Sequence, residues 1–558
     1  VTIIAGVDVG NSTTEIVIVD SSTSPPTPIV WDRVPTRGVK GSADSARAAA
    51  LIVRRLAKRA DLIIDQIVIS PQHPVDSRTV VIEEPPPDTG RLAIIGSGTS
   101  TPAGSGVGIG APRRLSSDID TAGPVVLVAQ DPRSFRDTSH RINEWLAAGA
   151  AVVGVVLAGD EAVLVANRIS KQVPVVDQVD VEIALTAQQV AVEVSTSGVH
   201  DLADPVRISA LTGLDRTEHA DAEAIAQQLR GIRDAAIAIF DERRSTSFSP
   251  GQTAQVRVGD GIHDLRDVAI RPLPARQGGS LAFDAATWQP FADLWAVDLA
   301  EVAETSAIRP RSVNERAISL ATLADTAGDP IEVPASILKE ELGIPIFLAS
   351  SEATAARIGA LSTPAANPDA LVLDLGGGTI DAATTIHHSI VVAGAGDLLT
   401  AAVAHLLDIP RGAAEWVKRE PSARLEGPHV LVGEDGVRRF VDMPVTADAV
   451  GALVVPGPAG LLPFNGQLAP GEWRMLRQQL KRAVISRNIE RATAGVDTAR
   501  DAILVGGPAG DTELLSMAVR ALPGCTPGRA DVAGKLGHRW AVAYGLTLLH
   551  QRGETQSA

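Results

Sequence analysis

The chain has 558 residues, with 66 acidic side chains against 50 basic ones and a formal net charge of −16. That length is too great for one core and predicts three or four domains. The acidic balance, with no dense Lys/Arg run, excludes a basic nucleic-acid-binding face. Cys525 is the only cysteine, which excludes an intrachain disulfide framework and a multi-cysteine zinc or iron–sulfur site supplied by one chain.

Residues 1–20 read as two strands around the turn of "VDVGNSTTEI" (7–16), followed by a loop at 21–28. Apolar positions across 42–60 recur at helical spacing, and 62–71 reads as a strand. "EEPPPDTG" (83–90) breaks the pattern and marks a domain edge. From 91 to 250 the texture is that of an inserted α/β module: a Gly-rich loop at 96–110, strands at 124–129 and 151–159, and a helix at 134–149 between them. "GVGIGA" (106–111) fits a dinucleotide-binding pattern but lacks a preceding strand, and is discounted. Residues 251–272 look like strands and the stretch to 365 like helices. From 366 to 558 strands and helices alternate. Aromatic content of 3% favours α/β layers packed with small residues, and the fold class expected is α/β.

Asp8 is an acid between apolar residues near a strand end, which is costly unless it meets cations or donors. Its surroundings recur: "VDVGNST" (7–13) and "LDLGGGT" (373–379) share Asp-x-Gly-x-x-Thr, each between apolar strands. Two such hairpins facing each other would clamp phosphates with backbone N–H groups and hydroxyls, each presenting an Asp to a metal or to attacking water. A third element, "VGGPAG" (505–510), is a strand into a Gly-Gly turn, where the backbone can lie flat against a base or ribose. Two helices with a face of small residues, at 350–361 and 537–546, suit close crossing at a hinge.

This ordered set resembles the actin/Hsp70/sugar-kinase ATPase superfamily, whose fold is a two-lobed core. Within it, "AGVDVGNSTTEI", "TPAGSGVGIG" (101–110), "GDEAVLVANRISKQVPVVDQVD" (159–180) and "VAGAGDLLT" (392–400) resemble the large subunit of diol/glycerol dehydratase reactivase. The resemblance runs through nearly the whole chain and is weakest at 255–340. It implies an ATPase core split over 1–90 and 366–558, an inserted swiveling domain at 91–250 and a linker or further insert at 251–365. It implies ATP/ADP and Mg²⁺ held by Asn11, Ser12 and Thr13, by Gly376, Gly377, Gly378 and Thr379, and by Gly506 and Gly507, with His538 or Arg539 beside the base or ribose. Asp8 and Asp374 would hold the metal's water shell and Asp381 would orient the attacking water, with Glu352 a further polar candidate. In the insert, Thr101, Asp160 and Asp177 match the family's divalent-ion site, whose hydroxyl and carboxylate oxygens suit Mg²⁺ or Ca²⁺. Glu161 and Ala162 depart from the acid and glycine the family tends to carry after the first Asp.

The implied partners are a small subunit, in a complex of two large and two small subunits, and an adenosylcobalamin-dependent dehydratase as client. No nucleic acid or membrane partner is expected. A cytoplasmic location is expected, since neither a charged leader nor an apolar run of about 18 residues occurs, and a bacterial microcompartment is a further possible setting. A small-molecule kinase or a general Hsp70-like chaperone are the alternatives. The first would need a catalytic base in a substrate cleft, and the second a substrate domain after "AVAYGLTLL". A non-hydrolysing scaffold fits poorly with two intact phosphate motifs, and an iron–sulfur activator with one cysteine.

Overall fold

A computed structural model describes residues 2–82, 88–98, 103–130, 134–243, 254–283, 287–308, 312–325, 332–385, 388–442, 449–496 and 500–558. The chain forms two compact units, one of Val1–Glu83 with Gly251–Ala558 and one of Glu84–Pro250.

The first unit contains the same sheet twice. In the N-terminal sheet Ile3–Val9 pairs antiparallel with Thr13–Asp20, which pairs antiparallel with Thr27–Pro35. On its other side Ile3–Val9 runs parallel to Gln66–Ile69, and that strand runs parallel to Ile346–Ala349. The C-terminal sheet repeats the plan. Leu371–Leu375, Thr379–Ala383 and Ser389–Ala393 form the antiparallel trio, and Asp501–Val505 and Thr526–Arg529 follow in parallel. Its centre is buried along its length, as the apolar run "LVLDL" requires of a strand covered on both faces. This doubled topology is the two-lobed α/β fold expected from the motifs.

The helices Glu352–Ala360 and Ala541–Gln551 cross between the lobes on glycines. A Cβ on Gly359 would sit 1.9 Å from the Ala541 carbonyl oxygen, and one on Gly545 would sit 1.9 Å from that of Ala355. Because both obstacles are backbone, the helices must separate to admit a methyl. Gly359→Ala and Gly545→Ala are therefore each expected to cost about 2–3 kcal/mol despite alanine's better helix propensity, measurable by urea unfolding.

Among the described residues this unit has two further sheets. A six-stranded antiparallel sheet is ordered Gly261–Asp264, Gln255–Val258, Gly279–Ala282, Gln289–Asp298, Ala317–Ala324, Val75–Val81. Helices were expected after residue 272, yet this stretch holds its longest strand, Gln289–Asp298. The segment Leu294–Asp298 is buried at every position, so the alternation that marks a half-buried strand is missing from the sequence. A small five-stranded sheet spans Ala423–Asn465.

The Glu84–Pro250 unit is a seven-stranded sheet, parallel from Val175–Val176 through Gly106–Arg114 and antiparallel beyond. "GVGIGA", expected in a loop, begins the strand Gly106–Arg114. Its glycines admit neighbouring strands: a Cβ on Gly108 would lie 2.1 Å from the Val153 carbonyl oxygen.

Candidate functional site

The two hairpin turns close with the same bond. Gly10 N–H donates to the Thr13 carbonyl and Gly376 N–H to the Thr379 carbonyl, each at 2.9 Å. Strand register then sets Asp8 opposite Glu15 and Asp374 opposite Asp381. The hairpins face each other across a cavity of about 460 Å³. A Cβ on Gly377 would fall 2.3 Å from Ser12 Oγ, and one on Gly378 would fall 3.0 Å from the Asn11 side chain. The Ser12 hydroxyl donates to the Asp397 carboxylate, at the start of the helix that follows the second hairpin.

Of the residues singled out in the sequence, Asp8, Asn11, Ser12, Thr13, Glu352, Asp374, Gly376, Gly377, Gly378, Thr379, Gly506, Gly507 and Arg539 all line this cavity. Asp381 is buried beneath it, across the strand pair from Asp374. His538 is turned away from the lining: its ring meets the Gly506 carbonyl at 2.8 Å while its own carbonyl accepts from Gly506 N–H. Gly506 adopts a left-handed φ of 85°, which this tight turn requires.

Several lining residues were not singled out in the sequence. Lys40, from the loop before the first long helix, places its ammonium 2.6 Å from Glu352 Oε2. Glu15 is the first hairpin's counterpart of Asp381, visible only once register is known. Glu415, Lys418 and Arg419 form a wall in which the buried Lys418 ammonium meets Glu415 at 2.6 Å, Thr400 Oγ1 at 2.6 Å and the Gly396 carbonyl at 2.8 Å. Their i, i+3, i+4 spacing was legible as an ion-pair pattern but not as a wall of this cavity. Ile485 lines the cavity from a π-helical turn, Arg482–Ser486, in the helix that begins at Pro470.

The electrostatics concentrate acid around Lys40, with Arg539 and Arg33 beside Glu15. Burial, then Glu352, raises the Asp8 carboxyl well above the usual range, and burial with Asp381 does the same to Asp374. Burial pushes Asp381 and Glu15 each to about 7. Lys40 is opposed by its own burial, yet Glu352 and Asp8 hold it above its ordinary value. Asp8 Oδ1 and Asp381 Oδ1 are buried without a hydrogen-bond partner. Unpaired hard oxygens around a cleft form the donor set that a hydrated divalent cation takes.

Raised acids stabilise the fold fully below their unfolded value near 4, and that contribution is lost as pH rises through about 7. Glu415 and Glu513 behave oppositely. Burial opposes their ionisation, but Lys418 for the first and Arg477 for the second hold each at about 2, so their contribution is lost only in stronger acid. The melting temperature of the protein without nucleotide is thus expected to fall between pH 5 and 8, and Mg²⁺–ADP to restore part of it at pH 8. Differential scanning fluorimetry across that window checks this.

In the Glu84–Pro250 unit, Asp177 accepts from Ala162 N–H at 3.0 Å, and burial together with Asp160 raises its carboxyl. Burial, then Asp177, pushes Asp234 to about 6. Thr101 lies outside the described residues. Among the described residues, no group of three or more His, Cys, Asp or Glu is arranged to hold a metal ion.

Comparison with known proteins finds a matching family model in each unit. The family model "Diol dehydratase reactivase ATPase-like domain" matches residues 282–550, and "DD-reactivating factor swiveling domain" matches 90–240. The chain belongs to the diol dehydratase reactivase family. It is 28% identical to the propanediol dehydratase-reactivating factor large subunit of Citrobacter freundii, over 98% of each chain. It is also 28% identical to the diol dehydratase-reactivating factor large subunit of Klebsiella michiganensis, again over 98% of each. A solved diol dehydratase-reactivating factor in nucleotide-free form shares the fold with a TM-score of 0.73 at 24% identity, covering 99% of this chain and all of that one. The reactivase ATPase-like match contains the second hairpin, the Gly-Gly turn and the Glu415–Arg419 wall. The first hairpin and Lys40 lie outside both matched ranges and join the site through geometry alone.

Proposed function

We propose that this protein is the large subunit of an ATP-driven reactivating factor for an adenosylcobalamin-dependent diol or glycerol dehydratase, coupling ATP hydrolysis to release of damaged cobalamin. The observation that carries the reading is the pair of matched hairpins facing across one cavity over buried, unpaired carboxyls. The names of the relatives, large subunits of dehydratase-reactivating factors, supply the client and imply a small-subunit partner.

Backbone N–H groups of both hairpins, with Ser12, Thr13 and Thr379, would cradle the phosphates. Gly506, Gly507 and Arg539 would take the nucleoside, with Ile485 and the Lys418 region as its walls. Asp8 and Asp374 fit the water shell of Mg²⁺, because their carboxyls have unmet hydrogen-bonding capacity or costly burial in its absence. When bound, the ion would supply charge neutralisation at the transferred phosphoryl group. Asp381, poised near neutrality, orients the attacking water and accepts its proton. Lys40 balances the acids, and Glu352 fixes Lys40. Loss of the γ-phosphate loosens one hairpin, and the lobes turn about the glycine-packed helix crossing.

Thr101, Asp160 and Asp177 are proposed to bind Mg²⁺ or Ca²⁺, and the assembly to contain two large and two small subunits. Among the described residues no helix is long and apolar enough to cross a membrane. A cytoplasmic setting, including a microcompartment, belongs to this reading. Steady-state phosphate release in the presence of Mg²⁺ tests the enzymatic half. Turnover absent from protein that binds ADP would remove hydrolysis from the proposal while leaving nucleotide binding.

A further inference from the structure

Both phosphate hairpins grip the same row of the six-stranded sheet. From the first, Asn11 Nδ2 donates to the Val75 carbonyl at 2.6 Å, and Val75 N–H donates back to Asn11 Oδ1 at 3.2 Å. Val75 is paired with Leu323, and Leu323 with Asp293, so these three residues stand side by side on adjacent strands. The second hairpin reaches the other end of that row through the strand Ser389–Ala393 that pairs with it. Gly394 N–H donates to the Gly378 carbonyl at 2.8 Å, and Ala393 N–H donates to Asp293 Oδ2 at 2.7 Å. A Cβ on Gly378 would itself lie 2.8 Å from that of Val75.

Asp293 is fully buried and sits just beyond a register shift in its strand. Such a bulge re-aims a side chain. Asp293 also accepts from Arg276 N–H at 2.8 Å and from the Arg491 guanidinium. Arg491 in turn donates to the Leu294 carbonyl at 2.9 Å and stacks 5.0 Å from the Trp295 ring centroid. One turn earlier on the same helix, Asn488 Nδ2 donates to the carbonyls of Ala393 and Gly394, both at 2.7 Å. Arg491 Nε, Trp295 Nε1 and Asn488 Oδ1 are buried without partners. Two unused donors and one unused acceptor in one buried cluster favour a second pairing within a small displacement. The helix carrying Asn488 and Arg491 directly follows the π-helical turn whose Ile485 lines the nucleotide cavity, and such turns break regular helix bonding.

We propose that the row Asp293–Leu323–Val75, with its Asn488–Arg491 joint, is the output element of the nucleotide site. It rests on the reading of the two hairpins as phosphate clamps. When a phosphate parts or draws together the hairpins, the first pulls on Val75 and the second on Asp293 through Ser389–Ala393 while Gly378 moves against Val75, and the strand Val75–Val81 shifts against Ala317–Ala324. That strand ends three residues before Glu84, where the chain enters the second unit. Nucleotide state is thereby passed along the polypeptide into the unit matched by the swiveling-domain model. Asp293, Asn488 and Arg491 are positioning residues in this scheme and touch no nucleotide.

Hydrogen exchange of the full chain, without nucleotide, with Mg²⁺–ADP and with Mg²⁺ plus a non-hydrolysable ATP analogue, tests the proposal. Exchange across 75–82 should differ between the two nucleotides by about fivefold or more, while the far edge strand Gly261–Asp264 stays constant. Asn488→Leu and Asp293→Asn should keep nucleotide affinity within about threefold and keep the response of residues 10–13 and 376–379, yet lose the response at 75–82. If the hairpins respond and 75–82 does not in the unmodified protein, or if both variants keep the full response, the proposal is overturned. Should either variant fail to fold, Arg491→Lys, which retains the cation, takes its place under the same criterion. No response at the hairpins themselves would instead remove the nucleotide reading on which the proposal rests.

Discussion

Asp374→Asn is expected to lower ATP turnover by about 10²–10³-fold while leaving the fold as stable as before or more so. The two effects separate because the carboxyl is buried opposite Asp381, and its ionisation is disfavoured by burial and then by that neighbour. A neutral amide of the same shape removes the electrostatic penalty of the buried carboxyl together with a group proposed to hold the cation's water shell. Phosphate release and urea unfolding on the same preparation check both halves. A variant that lost turnover only because it unfolded would assign Asp374 to the core instead.

Lys40→Met should show the opposite pattern in stability. The ammonium is buried against Glu352, whose side chain is 21% exposed, and it is the cation that offsets Asp8 and Asp381. Removing one partner of such a pair leaves uncompensated charge and costs about 3 kcal/mol, at the lower end for buried pairs because Glu352 still meets water. Turnover falls as well, since the acids that should engage the cation then repel one another. The stability deficit should shrink from pH 8 to pH 5.5, as the Asp381 carboxyl, raised to about 7, takes up a proton. A loss independent of pH would indicate that Lys40 matters through packing alone.

What was legible in the sequence was local and repeated. The two Asp-x-Gly-x-x-Thr hairpins announce themselves because tight turns tolerate few residue types, and their reappearance makes chance a poor account. The glycines of the crossing helices were legible for the same reason: nothing larger fits against the backbone at Gly359 and Gly545. Residues whose roles arise from long-range packing were hidden. Lys40 lies in a loop with no motif and meets Glu352, 312 positions away, only through the fold. Glu15 gains meaning from register, and Ile485 from the way a π-helical turn rotates one helix. His538 and Arg539 are adjacent in sequence, and only the hydrogen bond that ties the imidazole to Gly506 decides which one faces the cavity. The strand Gln289–Asp298 was hidden by its burial, which erases the alternation that marks a strand. Its Asp293 has no functional pattern around it in the chain, yet it joins the second hairpin to the sheet that holds the first.

The most direct test of the central claim is reactivation of a dehydratase inactivated with a cobalamin lacking its adenosyl group. The mixture contains this protein, its small-subunit partner, ATP, Mg²⁺ and fresh adenosylcobalamin. Diol or glycerol dehydration is expected to recover in a manner that requires ATP and the small subunit and disappears with Asp374→Asn. Recovery that is equal without ATP, or no recovery by protein that hydrolyses ATP normally, would contradict it.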